Sequence, residues 1–286
     1  MSTATALQEQ RSAYRAEITD GILHLTFTRP EAGNAIPTEA VPALKTLIAG
    51  INSDPRIRAV LVRGEGRNFS AGGDLKGFER ALQLPPEVLR ADFERRLAIL
   101  GELVEAYISL DVPVVAACRG GVAGAGMMYA LGADVVLADD TVNFVFAQQR
   151  IGLTPDGGIS YLLPRIIGTR RASQLVLTGA SVDAHEALSL GLITRITPAD
   201  ELNAQAEKQA LRLAQSAQGT LRRAKRLLAG SMATPLGEQL ALERAAIVES
   251  VAIPILPKAC ARRWRNVRRH SPRRQTKPPS PLARVA

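Results

Sequence analysis

Hydrophobic positions change their period several times along this chain, and each change marks an element. Residues 17–19 and 23–27 alternate between polar and apolar about Asp20-Gly21, the pattern of a β-hairpin closed by a tight turn. Val41, Leu44, Ile48 and Ile51 then recur at helical spacing behind Thr38, which predicts a capped amphipathic helix ended by residues 52–55. Short apolar runs at 59–62 and 112–118 fit strands, the second continuous enough to be covered on both faces, and a further strand is expected at 134–138. Between the first two runs, residues 75–84 and 86–110 take a helical period, the second with Phe93, Leu97, Leu100, Val104, Tyr107 and Ile108 on one side. Beyond 159 the chain becomes helical: 159–167 interrupted by Pro164, 169–177 stopped at Gly179, and 183–190 capped by Ser181. A return to strand at 191–193 precedes three further amphipathic helices within 199–250. Strands alternating with helices argue an α/β fold.

Glycine punctuates this pattern where chemistry is possible. Gly120-Gly121 stop the 112–118 strand, and Gly124-Ala125-Gly126 open a helix through 127–131. The first free N–H groups of that helix therefore lie where small side chains let a ligand come close, and such groups steady a developing negative charge. Phe69-Ser70-Ala71-Gly72-Gly73-Asp74-Leu75 follows the 59–62 strand and runs through glycine into a helix in the same way. Thr154-Pro155-Asp156-Gly157-Gly158 fixes a carboxylate on a turn, as a helix cap or as a base.

Taken in order, FSAGGDL, VAGAGMMYALGAD and RIGLTPDGG resemble the crotonase superfamily, the enoyl-CoA hydratase and isomerase family, over roughly residues 14–250. RPEAGNAI, with Thr28 in place of asparagine, is similar to the family's N-R-P-E-x-x-N-A-L signature, and the stretch from Thr178 to Pro198 is similar to another of its segments. The resemblance implies a crotonase-like ββα spiral core over 13–197 and a C-terminal helical, trimerising region over 198–257. It also implies an acyl-CoA substrate and a homotrimer or homohexamer. Coenzyme A enters as part of the thioester, and no separate cofactor is expected. Two main-chain donors for the thioester oxygen fall on Gly73 and Ala125, and coenzyme A contacts on Ala71, Gly73, Asp74, Leu75 and Arg29.

Hydratases of the family use two glutamates, and the matching positions here are Met128 and Gln148, neither of which exchanges a proton at neutral pH. Asp156, eight residues after Gln148, matches the acidic position of several family isomerases. A surround such as Met128, Tyr129, Phe144 and Phe146 would raise its pKa. The leading expectation is an isomerase moving a double bond with one carboxylate; the alternatives are a hydratase, a dehalogenase-like thioester enzyme and an RNA-binding member of the family.

Charge bears on that last alternative. The net charge is +9, yet residues 258–286 hold ten basic residues and no acidic one, which leaves about −1 on residues 1–257. Such a tail is expected to be disordered and to be drawn to anions, while the body carries no basic surplus for nucleic acid. The tail's one aromatic residue, Trp264, offers little stacking. The two cysteines and three histidines are scattered, so neither a disulfide framework nor a metal site is expected. A polar, flexible 1–12 without an apolar signal core, and no long apolar run, predict a cytoplasmic protein with no membrane partner.

Overall fold

Asp20 and Gly21 both take left-handed backbone (φ 52° and 81°), which a tight hairpin turn needs, and they close β1 (Tyr14–Thr19) against β2 (Ile22–Phe27) with Thr19 opposite Ile22. The computed structural model describes residues 13–251; the 1–12 and 258–286 expectations lie outside them. From β2 the sheet continues in parallel through β3 (Ala59–Gly64), β4 (Val114–Cys118), β6 (Val135–Ala138) and β9 (Arg195–Ile196), in the order β1-β2-β3-β4-β6-β9. A second sheet of three short strands, β5 (Gly121–Ala123), β7 (Asn143–Val145) and β8 (Ser181–Val182), is fed by the glycine turn that ends β4. The fold is the expected α/β one.

The continuous apolar runs follow from burial on both faces. Alternate residues Val60, Val62, Val114, Ala116, Cys118 and Val136 join the main core, which helices α1 (Val41–Gly50) and α3 (Pro86–Ile108) cover. The intervening Ala59, Leu61, Val115, Ala117 and Leu137 face Leu202, Ala206, Ala210 and Ala214, one stripe of α8 (Leu202–Ala214). Burying each large aliphatic side chain stabilises the fold by about 1.5–3 kcal/mol. Helix α8 thus belongs with the sheet, and the first of two compact units runs to Ala229, past the residue 197 at which the sequence closes the core.

The remaining helices are α2 (Leu75–Ala81), α4 (Met127–Leu131), α5 (Ile159–Ile167), α6 (Thr169–Thr178), α7 (Ala184–Leu190), α9 (Gln218–Gly230) and, in the second unit, α10 (Leu236–Val251). Three expectations are corrected. Strand β4 starts at Val114 and not 112, after Pro113, which has no N–H for a ladder. Asp183, not Ser181, caps α7: its Oδ1 accepts the Glu186 N–H at 2.9 Å, while Ser181 pairs with Val145 in β8. Pro164 does not interrupt α5, because the carbonyl it leaves free belongs to Ser160, on the exposed side.

Candidate active site

A buried asparagine organises the first wall of the site. Asn34, 1% exposed and left-handed (φ 57°), donates from Nδ2 to the Glu65 and Asn68 carbonyls (2.8 and 2.7 Å), and its Oδ1 accepts the Arg29 N–H (3.0 Å). Ser70, fully buried, donates its hydroxyl to the Asn34 carbonyl (3.0 Å) and accepts the Gly72 N–H (3.1 Å). The loop through Gly73 is therefore fixed from beneath by two polar side chains whose hydrogen bonds are all to backbone.

The second wall is the turn that opens α4. Tyr107 of α3 donates to the Tyr129 carbonyl at 2.8 Å, and the Phe27, Tyr107 and Tyr129 rings pack edge-to-face, which seats α4 with its N-terminus toward the first loop. Only glycine allows the two walls to touch. A Cβ on Gly72 (φ 89°) would stand 2.7 Å from the Ala125 nitrogen and 2.8 Å from the Ala123 oxygen, and one on Gly126 would stand 2.6 Å from the Ser70 hydroxyl. Neither the Gly73 nor the Ala125 N–H donates to another backbone group among the described residues. Both line one cavity of about 120 Å³ with Gly72, Gly126 and Met128.

The third stretch rests on the second. A Cβ on Gly157 (φ 59°) would lie 3.1 Å from Ala125 Cα, so the Asp156 turn is pressed against the donor loop, and Asp156 lines the same cavity. Its side chain does not cap α5. Gly158 holds the cap position with no side-chain hydrogen bond, and Asp156 offers the helix only its backbone carbonyl, to the Ile159 N–H. Asp156 Oδ1 is buried without a hydrogen-bond partner, and burial pushes the carboxyl above its ordinary value. The Gln148 amide draws it partly back, yet Gln148 Nε2 is also buried and unpartnered. Neither polar atom is satisfied by the protein around it.

With the three motif stretches on one cavity, comparison with known proteins is decisive. The chain matches the family described as enoyl-CoA hydratase/isomerase over residues 17–252. It belongs to that family, within the crotonase superfamily. It is similar to a probable enoyl-CoA hydratase of Rhodobacter capsulatus (35% identity over 230 residues, 80% of this chain and 86% of that one). It is also similar to the 1,2-epoxyphenylacetyl-CoA isomerase of Escherichia coli (34% over 229 residues, the same shares). A crystal structure of a putative enoyl-CoA hydratase from Streptomyces coelicolor A3(2) matches with a TM-score of 0.81 at 33% identity, covering 87% of this chain and 90% of that one.

The residues expected at coenzyme A take different places. Ala71 is exposed beside Gly72, Asp74 lines an adjoining cavity, and Leu75 opens α2. Arg29 turns away: its Nη1 donates to the Ala35 carbonyl (3.2 Å) and its Nε lies 3.9 Å from Glu31, so it braces its own loop. Met128 and Tyr129 stand on the cavity wall as expected, whereas Phe144 and Phe146 are core residues away from it. Thr38 caps no helix; it lines the cavity with Ile36, Val41 and Arg96, which the sequence did not single out. The signal for Arg96 was available: it stands four residues before Leu100, on the face of α3 read as apolar.

Elsewhere the chemistry is sparse. Cys118 is fully buried with its thiol pKa pushed up by desolvation, which leaves it unreactive. His24 lies 3.5 Å from Glu207, away from the cavity, and His185 is exposed on α7. Among the described residues no group of His, Cys, Asp and Glu could hold a metal, and no helix is long and apolar enough to cross a membrane.

Proposed function

We propose that this family member is an enoyl-CoA isomerase in which Asp156 carries a proton along the acyl chain. The observation that carries the reading is the single carboxylate on a cavity whose other ends are the Gly73 and Ala125 N–H groups, with Met128 and Gln148 where the resemblance puts two glutamates. A 3-enoyl thioester bound with its carbonyl oxygen on the two N–H groups loses a proton from C2 to the Asp156 carboxylate. The electron pair spreads into a dienolate whose negative oxygen the two donors hold, and the carboxylic acid returns the proton at C4, giving the 2-enoyl ester. Substrate and product have the same composition. Preorganised donors of this kind contribute about 3–4 kcal/mol each, and a positioned proton carrier about 10²–10⁴-fold in rate. The raised pKa of Asp156 suits the abstraction step, since a stronger base takes the C2 proton more readily.

A second reading has its own support. Gln148 Nε2 and Asp156 Oδ1, both unpartnered, could hold a water molecule between them, which would suit hydration by one carboxylate. A panel of 3-enoyl-, 2-enoyl- and aromatic acyl-CoA esters separates the two. The isomerase reading expects 3-enoyl-CoA to become the conjugated ester with little hydration of crotonyl-CoA. Hydration of crotonyl-CoA with 3-enoyl-CoA left untouched would overturn it.

A further inference from the structure

An arginine in the wall of an acyl cavity needs an account. Arg96 projects from the face of α3 that also supplies Leu100 and Leu103 to the cavity, and its guanidinium is held from three sides. Nη2 meets Asp92 Oδ2 at 2.5 Å, Nη1 donates to Thr38 Oγ1 at 3.4 Å, and Cζ stands 6.0 Å over the Phe93 ring, itself packed edge-to-face on Phe78. With only 26% of its side chain exposed, this is a fixed head and not a solvated one. Its Nε–H and Asp92 Oδ2 are both buried without a hydrogen-bond partner, so the ion pair does not use up the guanidinium. A guanidinium carries five N–H groups, and a head with so few partners keeps donors to offer an acceptor that enters the cavities it lines.

The place of those donors narrows the ligand. Arg96 and Thr38 are walls shared by the catalytic cavity and a second one of about 210 Å³. Toward Asp156 the lining beside Arg96 is Leu97, Leu100, Leu103 and Met128; on its other side it is Glu39, Asp74 and Arg80. An all-hydrocarbon tail suits the first set and would strip water from the second without replacing it. Charge there is one negative in surplus, Glu39 and Asp74 against Arg80, with Arg96 already opposed by Asp92, so a neutral oxygen fits better than a further carboxylate.

We propose that the acyl group processed at this site bears a neutral acceptor oxygen, a hydroxyl or carbonyl, beyond its reacting carbons, and that this oxygen takes a guanidinium N–H of Arg96 where the two cavities meet. The substrate class is then an oxygenated acyl-CoA, and Arg96 is its specificity residue. The proposal rests on the acyl-CoA reading above, and the test separates the two. Pairs of 3-enoyl-CoA esters of equal length are compared on the full chain, one member ending in methyl and the other bearing a hydroxyl at successive distal carbons. Coenzyme A is common to both members, so its contacts cancel in the ratio. A site built around a hydrogen bond discriminates strongly against the analogue lacking it. The expected result is a kcat/KM about 10–100-fold higher for one of the hydroxylated esters, with the ratio falling toward one in Arg96→Met, which keeps an unbranched apolar stem and loses the donor. Equal kcat/KM across every pair in the wild type, or a preference unchanged in Arg96→Met, overturns the proposal. If Arg96→Met does not fold, the wild-type ratios decide alone. If no ester is turned over, the isomerase reading fails by itself, and the affinities of the matching saturated esters, measured by calorimetry, decide the tail: tighter binding of a hydroxylated ester supports the proposal, and equal affinity overturns it.

Discussion

Asp156 sits in surroundings that disfavour its charged form. Desolvation raises its pKa above the unfolded value, so the charged form weakens the folded state at neutral pH, and that penalty disappears as pH falls through the raised value. Asp156→Asn is therefore expected to melt at the same temperature as the wild type or higher at pH 7, with the difference vanishing in acid; a variant that melts well below the wild type at pH 7 would contradict this. Because the Gln148 amide is what draws the carboxyl down, Gln148→Leu should move the acid limb of the kcat–pH profile further up. A limb that stays in place or moves down would show that Gln148 does not act on Asp156. The sequence displayed the carboxylate on its turn but left base and cap open, because the choice depends on backbone: Gly158, left-handed at φ 77°, takes the cap position and frees the side chain. What Arg29 holds within its own loop was hidden for a similar reason, since its partner, the Ala35 carbonyl, leaves no trace in residue types.

Between elements, the site depends on contacts too close for any side chain. Gly72→Ala would put a carbon against two backbone atoms of the α4 loop at a φ that other residues rarely adopt, a cost of about 1–3 kcal/mol. Parting the Gly73 and Ala125 donors by even an ångström is expected to lower kcat about 10²-fold. Gly101, midway along α3 with open space where its Cβ would go, serves as the control: Gly101→Ala should stabilise by about 0.5–1 kcal/mol and leave kcat alone, both read by thermal melts and steady-state rates. Wild-type activity in Gly72→Ala would count against the two-donor site. The hairpin, the parallel strands and the long helices were legible because each buries a face whose period shows in the sequence. Exact starts and caps were not: β4 waits for Pro113, and α7 is capped by Asp183, where a serine two residues earlier looked as suitable.

At the scale of the whole molecule, the sheet and its covering helices end at Ala229, and the second unit follows by itself. Helix α10 buries none of its residues and leaves Leu236, Leu240, Ile247 and Val248 each more than half exposed. Apolar surface of that extent is what an association face presents, and we propose the three or six copies that the family resemblance implies. Light scattering on the full chain should give three or six times the mass of one chain, and a monomer at micromolar concentration would contradict that expectation. Nothing in the periodicity of 230–251 announced how little of it is buried; amphipathic spacing shows that a face is apolar and is silent on what covers it.

The account turns on one carboxylate, and the most direct test measures turnover and binding on the same protein. Wild type and Asp156→Asn are compared for 3-enoyl-CoA isomerisation and, in parallel, for affinity toward a saturated acyl-CoA. Loss of kcat by about 10²–10⁴-fold with affinity retained is the predicted result. Isomerisation at an undiminished rate in Asp156→Asn would contradict it.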